Sequence, residues 1–135
     1  MLSDGIYALT QYRIERSEEC LKSAKVLLGI DDFFAVLDRS FYAIFHAVRA
    51  IMALDGTDRR KHSGVISYFQ QNYVKSGVFD KKYSEMVQDA FELRQECDYE
   101  DFYVLSKEEA ITQLKNSNDF VNTVKKYIEK QINNI

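Results

Sequence analysis

Arg39 and His46 lie in the stretch DDFFAVLDRSFYAIFHAVRAIMAL, residues 31–54, with six residues between them. On an α-helix they fall about 20° apart around the axis and roughly 10 Å apart along it, so both can reach one phosphate group from opposite sides. There the imidazole can take the proton from a ribose 2′-hydroxyl. The guanidinium, permanently charged and fork-shaped, can hold the phosphate and stabilise its developing charge. This is phosphodiester chemistry without a metal. Tyr42, Arg49 and Asp38 follow on the same side, about 60°, 80° and 100° from Arg39, and complete one narrow polar stripe. Spacing alone leaves three readings open. The stripe lines a cleft, it forms a subunit interface, or it satisfies internal partners with His46 as a core histidine.

The helix that carries the stripe is otherwise apolar nearly all round, with Phe33, Phe34, Leu37, Phe41, Phe45, Val48, Ile51 and Met52 pointing in most directions. Such a helix belongs at the centre of a bundle. With no proline and only five glycines, the chain has few breakers and reads as all-α. A first helix is expected over about residues 6–28, with Cys20, Leu21, Ala24, Leu27 and Leu28 inward and Arg13, Glu15, Glu18 and Lys22 outward. Gly29 ends it, Asp31 or Asp32 caps the central helix, and so short a link makes the two antiparallel. A third helix over about residues 60–73 begins on Arg59, Arg60, Lys61 and His62, cations that oppose the helix dipole unless an anion or acidic loop compensates. Asp80 caps a fourth helix over residues 81–96, whose Arg94 serves its own C-terminus or reaches the stripe. In CDYEDFYVL the aromatics Tyr99, Phe102 and Tyr103 are expected to anchor a connection. Its acids Asp98, Glu100 and Asp101 are candidates to answer Arg59–Lys61. Ser106 and Glu109 spell a capping box for a last helix to about residue 132, with QINNI frayed.

At 135 residues the chain fits one domain, 1–135, large enough for a core without metals or disulfides. The net charge of −3 gives no bulk attraction to nucleic acid or anionic membrane, so polyanions would need a local basic patch. Arg49, Tyr42, Arg60 and Lys61 are candidates for it. Cys20 and Cys97 lie far apart with no zinc-like spacing, and both read as core residues; no metal or cofactor is expected. No leader pattern and no charge-free run long enough to span a bilayer occur, so a soluble cytoplasmic protein is expected.

DRSFYAIFHAVRAIM, followed by KHSGVISYFQQNYVKSG and AFELRQECDY, resembles the small stand-alone HEPN-domain proteins of bacteria and archaea over nearly the whole chain. The resemblance implies an up-and-down helical bundle, commonly a homodimer, that in many members is a metal-independent endoribonuclease. Their Arg-x(4 to 6)-His motif maps onto Arg39 and His46 as catalytic residues, two copies facing each other across a dimer cleft that binds and cuts RNA. The residue after the arginine, polar in active members, is Ser40, which joins Asp38 as a stripe or interface residue. Val48 stands where members silenced by adenylylation carry a tyrosine. The family resembles toxin halves of toxin–antitoxin pairs whose partner is a minimal nucleotidyltransferase. The alternative is a non-catalytic interaction or nucleotide-binding module that pairs with that partner, its Asp38 and Arg49 exchanging salt bridges across a dimer seam.

Overall fold

The computed structural model describes residues 3–134, which form five α-helices and one π-helical turn without a strand among them. None of the helices described is long and apolar enough to cross a membrane. Helix α1 (Asp4–Gly29) starts where the Ser3 hydroxyl accepts from the Ile6 amide at 3.1 Å. Its inward row is Thr10, Arg13, Ile14, Ser17, Cys20, Leu21 and Ala24. Arg13 therefore does not share the outer face with Glu15, Glu18 and Lys22; it is only 8% exposed. It stands seven positions before Cys20, on the same side of the helix.

The turn into α2 (Phe33–Leu54) is made at Asp31, which takes φ 57°, rather than at Gly29. Aspartate tolerates that left-handed geometry better than most residues. Asp32 then caps α2 by accepting from the Ala35 amide at 3.3 Å. Helix α2 is the centre of the bundle, packed against α1 most extensively and also against each of the three helices that follow it. The close approach to α1 runs along a row of small residues that includes Ser40, Ala43 and Ala47. The Ser17 hydroxyl crosses to the Ala43 carbonyl at 2.6 Å. Phe41, Leu37, Ile44, Val48, Ile51 and Met52 fill the remaining sides. Phe34 is the exception and stays exposed.

Helix α3 (His62–Phe69) is shorter than its apolar pattern suggests and passes into a π-turn, Gln70–Val74, closed by the Lys75 amide on the Gln70 carbonyl at 2.9 Å. Tyr68 and Tyr73 both donate to the Asp55 carboxylate at the end of α2, which ties the turn to the bundle. Helix α4 (Lys81–Tyr99) runs past Glu96 and takes up the start of the acidic–aromatic segment. That segment does not dock as expected. Tyr99 is 82% exposed and Phe102 entirely so, at φ 61°, and of the three aromatics Tyr103 alone (bonded to Glu109 at 3.2 Å) turns inward, as Leu105 does. The capping box forms in both directions, each bond 3.1 Å, and opens α5 (Lys107–Asn133). Helix α5 continues through Asn133 with Ile132 against the core instead of fraying at QINNI; Ile135 lies outside the described residues. Of the cysteines, Cys20 is buried and Cys97 half-buried.

Candidate functional site

One strip of α2 is left partly open between α1 on one side and α3 with α4 on the other, and the polar stripe lies along it. Arg39 sits at one end. Its Nη2 donates to Oδ2 of Asp38 at 2.9 Å, its Nη1 approaches the Cys20 sulfur at 3.8 Å, and its guanidinium lies 5.2 Å from the Tyr42 ring centre. The bond to Asp38 raises the pKa of Arg39. Asp38 is clamped from the other side by Arg94, whose Nε donates to Oδ1 at 3.0 Å. The Arg94 guanidinium also lies 5.3 Å from the ring centres of both Phe41 and Tyr42, a cation–π arrangement. Arg94 thus reaches the stripe, as one of its two sequence readings allowed.

His46 stands half-buried in the middle, its ring centre 6.0 Å from that of Tyr42 and 5.8 Å from that of Phe45. Its pKa is lowered to about 4, first by burial and then by the positive charges of Arg16, Arg49, Arg39 and Arg13. At neutral pH the imidazole is uncharged, with a nitrogen lone pair to accept a proton. Beyond Tyr42, His62 places Nε2 3.3 Å from the phenol oxygen among the rings of Phe41, Phe45 and Phe91. Burial, then Arg94, lowers its pKa too.

Arg49 marks the other end. Its Nη2 donates to Oδ1 of Asp58 at 2.9 Å, and Nη2 of Arg13 reaches the same oxygen at 3.3 Å. Arg60 approaches Oδ2 at 3.7 Å. The bond from Arg49 is the main cause holding the Asp58 carboxyl below its ordinary pKa.

The face therefore gathers Asp38, Arg39, Tyr42, His46 and Arg49 as the helical spacing predicts, with Arg60 joined through Asp58. One expected member is turned away from it. Ser40 is 1% exposed, because the row it shares with Ala43 and Ala47 is pressed against α1. Lys61, the N-cap position of α3, is exposed and makes no ion pair among the described residues. Nor do Asp98, Glu100 and Asp101 answer the basic segment. Asp98 pairs with Arg94 at 3.4 Å, Arg59 lies over the Tyr68 ring at 5.8 Å, and the compensating carboxylate is Asp58. Asp38 and Arg49, posited as partners across a seam, each have a partner within the chain, Asp38 with Arg39 and Arg94, and Arg49 with Asp58. Arg13, Arg16, Asp58 and the ring position of His62 were not legible as site residues. The one available signal was the inward row of α1, which extends from Cys20 back to Arg13.

The model of the HEPN domain family matches residues 10–127, a span that includes Arg13, the whole stripe and Arg94. The chain belongs to the HEPN family. The HEPN chain is similar to a UPF0332 protein of Thermotoga maritima, 30% identical over 90% of this chain and 92% of that one. A Methanocaldococcus jannaschii protein named "Putative toxin MJ0142" is 30% identical over 85% of this chain and 78% of its own. A UPF0332 protein of Archaeoglobus fulgidus is 30% identical over 89% and 95%. The HEPN fold here accounts for the basic face without a basic protein. Although the net charge is −3, four arginines of α1 and α2 bear on His46, and Arg94 of α4 reaches the same face at Asp38.

Proposed function

We propose that this HEPN protein binds RNA along the outer face of α2 and cuts it without a metal, through Arg39 and His46. The observation that carries the reading is His46 itself, partly exposed and held neutral with a pKa of about 4 among arginines. His46 accepts the 2′-hydroxyl proton, the 2′-oxygen bonds to phosphorus and the bond to the 5′-oxygen breaks. The products are a 2′,3′-cyclic phosphate and a 5′-hydroxyl that takes its proton from water. Arg39, 5.2 Å above the Tyr42 ring, carries the growing phosphate charge, and Tyr42 offers a surface on which a base can stack. A bound phosphate also offsets the arginine charges that depress His46, so the imidazole becomes a stronger base when substrate arrives. The reading extends to a homodimer in which two such faces make one cleft. It further makes the chain the toxin half of a pair with a minimal nucleotidyltransferase, in line with the names of two relatives, "Putative toxin MJ0142" and "Putative toxin MJ0605".

A second reading has support of its own. The arginines of the face are already paired, Arg39 and Arg94 with Asp38, and Arg13, Arg49 and Arg60 with Asp58. This pairing suits an interaction or nucleotide-binding module that does not cut. Incubating the protein with total RNA in EDTA separates the two. Under the first reading the parent cleaves, and His46→Ala loses about 10²- to 10⁴-fold in rate with the fold intact. An inactive parent that still binds nucleotide gives the second.

A further inference from the structure

The cluster around Asp58 is built as an anion site whose anion comes from within the chain. Asp58 lies on the loop between α2 and α3, and one oxygen of its carboxylate receives both Arg49 and Arg13. The helices hold those arginines without its help. Arg13 is more than nine-tenths buried, and its Nη1 donates to the Arg49 carbonyl at 2.8 Å. Two guanidinium groups fixed side by side in a partly dry setting repel, so the pair needs an anion between them. A single carboxylate uses the site incompletely. Nε and Nη2 form one edge of a guanidinium, the edge that grips a carboxylate or phosphate side-on. At Arg49 the Nη2 is engaged, while the buried Nε has no acceptor. A tetrahedral phosphate has more oxygens, not confined to one plane, and can serve both donors of that edge as well as Arg13. Asp58 is also easy to displace, since its side chain is 42% exposed and water screens its ion pairs.

We propose that Arg13, Arg49 and Arg60 form a phosphate subsite one helical turn from His46, and that Asp58 occupies it until a phosphate group of the ligand takes its place. The inference rests on reading this face as phosphate-binding, and it adds a residue, Asp58, that sets the affinity of the empty site. A self-occupied site binds more weakly, in proportion to the fraction of time it stands open.

Arginine Nε–Hε resonances of the intact protein, followed during titration with inorganic phosphate, test it. The Arg49 signal shifts saturably, Asp58→Asn tightens phosphate by about three- to tenfold, and Arg60→Gln weakens it. Glu15→Gln, an equal change of charge on the exposed side of α1, leaves it unchanged. No saturable shift in Asp58→Asn, or equal tightening by Glu15→Gln, overturns the subsite. Thermal melts check that Asp58→Asn folds. If it does not, the exposed Arg60→Gln decides, and an unaltered phosphate affinity there overturns the proposal. A parallel titration and cleavage assay with a short single-stranded RNA keeps the two readings apart. Saturable phosphate binding at Arg49 without RNA binding or cleavage upholds the subsite and removes the ribonuclease. RNA cleavage with no phosphate response at Arg49 does the reverse.

Discussion

His46 is governed by its neighbours more than by its own chemistry. Burial comes first among the causes that lower its pKa to about 4, and four arginines add to it. A proton NMR titration of the imidazole should therefore show a midpoint near 4 rather than near 6.5, with Arg16→Gln, the largest charge contributor, moving it upward. The same shift has a consequence for stability. Below pH 6.5 the unfolded chain protonates this histidine while the folded chain does not, so folding loses stability as the pH falls from about 6.5 toward 4. Wild type should lose melting temperature over that window more steeply than His46→Gln; parallel curves would place the titrating burden elsewhere. If the chain cuts RNA, the acid limb of kcat/KM reports the unliganded imidazole. The limb of kcat should lie at higher pH, because bound phosphate offsets the arginines.

At the scale of the element, α2 takes its stability from shape on three sides and leaves chemistry to the fourth. Phe41 is 1% exposed and touches the rings of Tyr42, Phe45, His62 and Phe91. Phe41→Ala should cost about 3–5 kcal/mol and loosen His62 and Arg94 with it, measured as a drop in urea midpoint. The α4–α5 segment should behave in the opposite way. Tyr99 and Phe102 are exposed and anchor nothing, so Tyr99→Ser/Phe102→Ser should leave the urea midpoint within about 0.5 kcal/mol of wild type. Ser106→Ala, a few residues on, removes half of the capping box and should cost about 1 kcal/mol. A large loss from the double variant would mean that the loop packs against something.

For the whole molecule the expected assembly follows from the uncovered strip. His46, Tyr42, Arg39 and Arg94 all stay partly exposed on one side of α2, while the other sides of that helix are covered except at Phe34. A second copy related by a twofold axis would bring two such faces together, and isologous contacts of this kind are the commonest way for identical chains to pair. Sedimentation at micromolar concentration should give a dimer, with Tyr42→Arg shifting it to monomer by adding positive charge to two faces already rich in arginine. A monomer throughout would leave the face as a binding surface of the single chain.

What the sequence determined on its own were relations set by the period of one helix, although the inward place of Arg13 on α1 was missed among them. The apolar girth of α2, the Arg39–Tyr42–His46–Arg49 stripe, the Asp32 and Asp80 caps and the Ser106–Glu109 box are relations between residues a few positions apart. Local geometry fixes such relations before any packing occurs. The tertiary structure alone decided which groups meet the stripe. Arg13, Arg49 and Asp58 converge from three elements, as Asp38 and Arg94 do from two, and the packing of α2 against α1 turned Ser40 inward. An arginine is an outward residue by type, and only the neighbour across an interface, here a carbonyl at 2.8 Å and a carboxylate at 3.3 Å, makes its burial favourable. That partner lies tens of positions away, where no periodicity points.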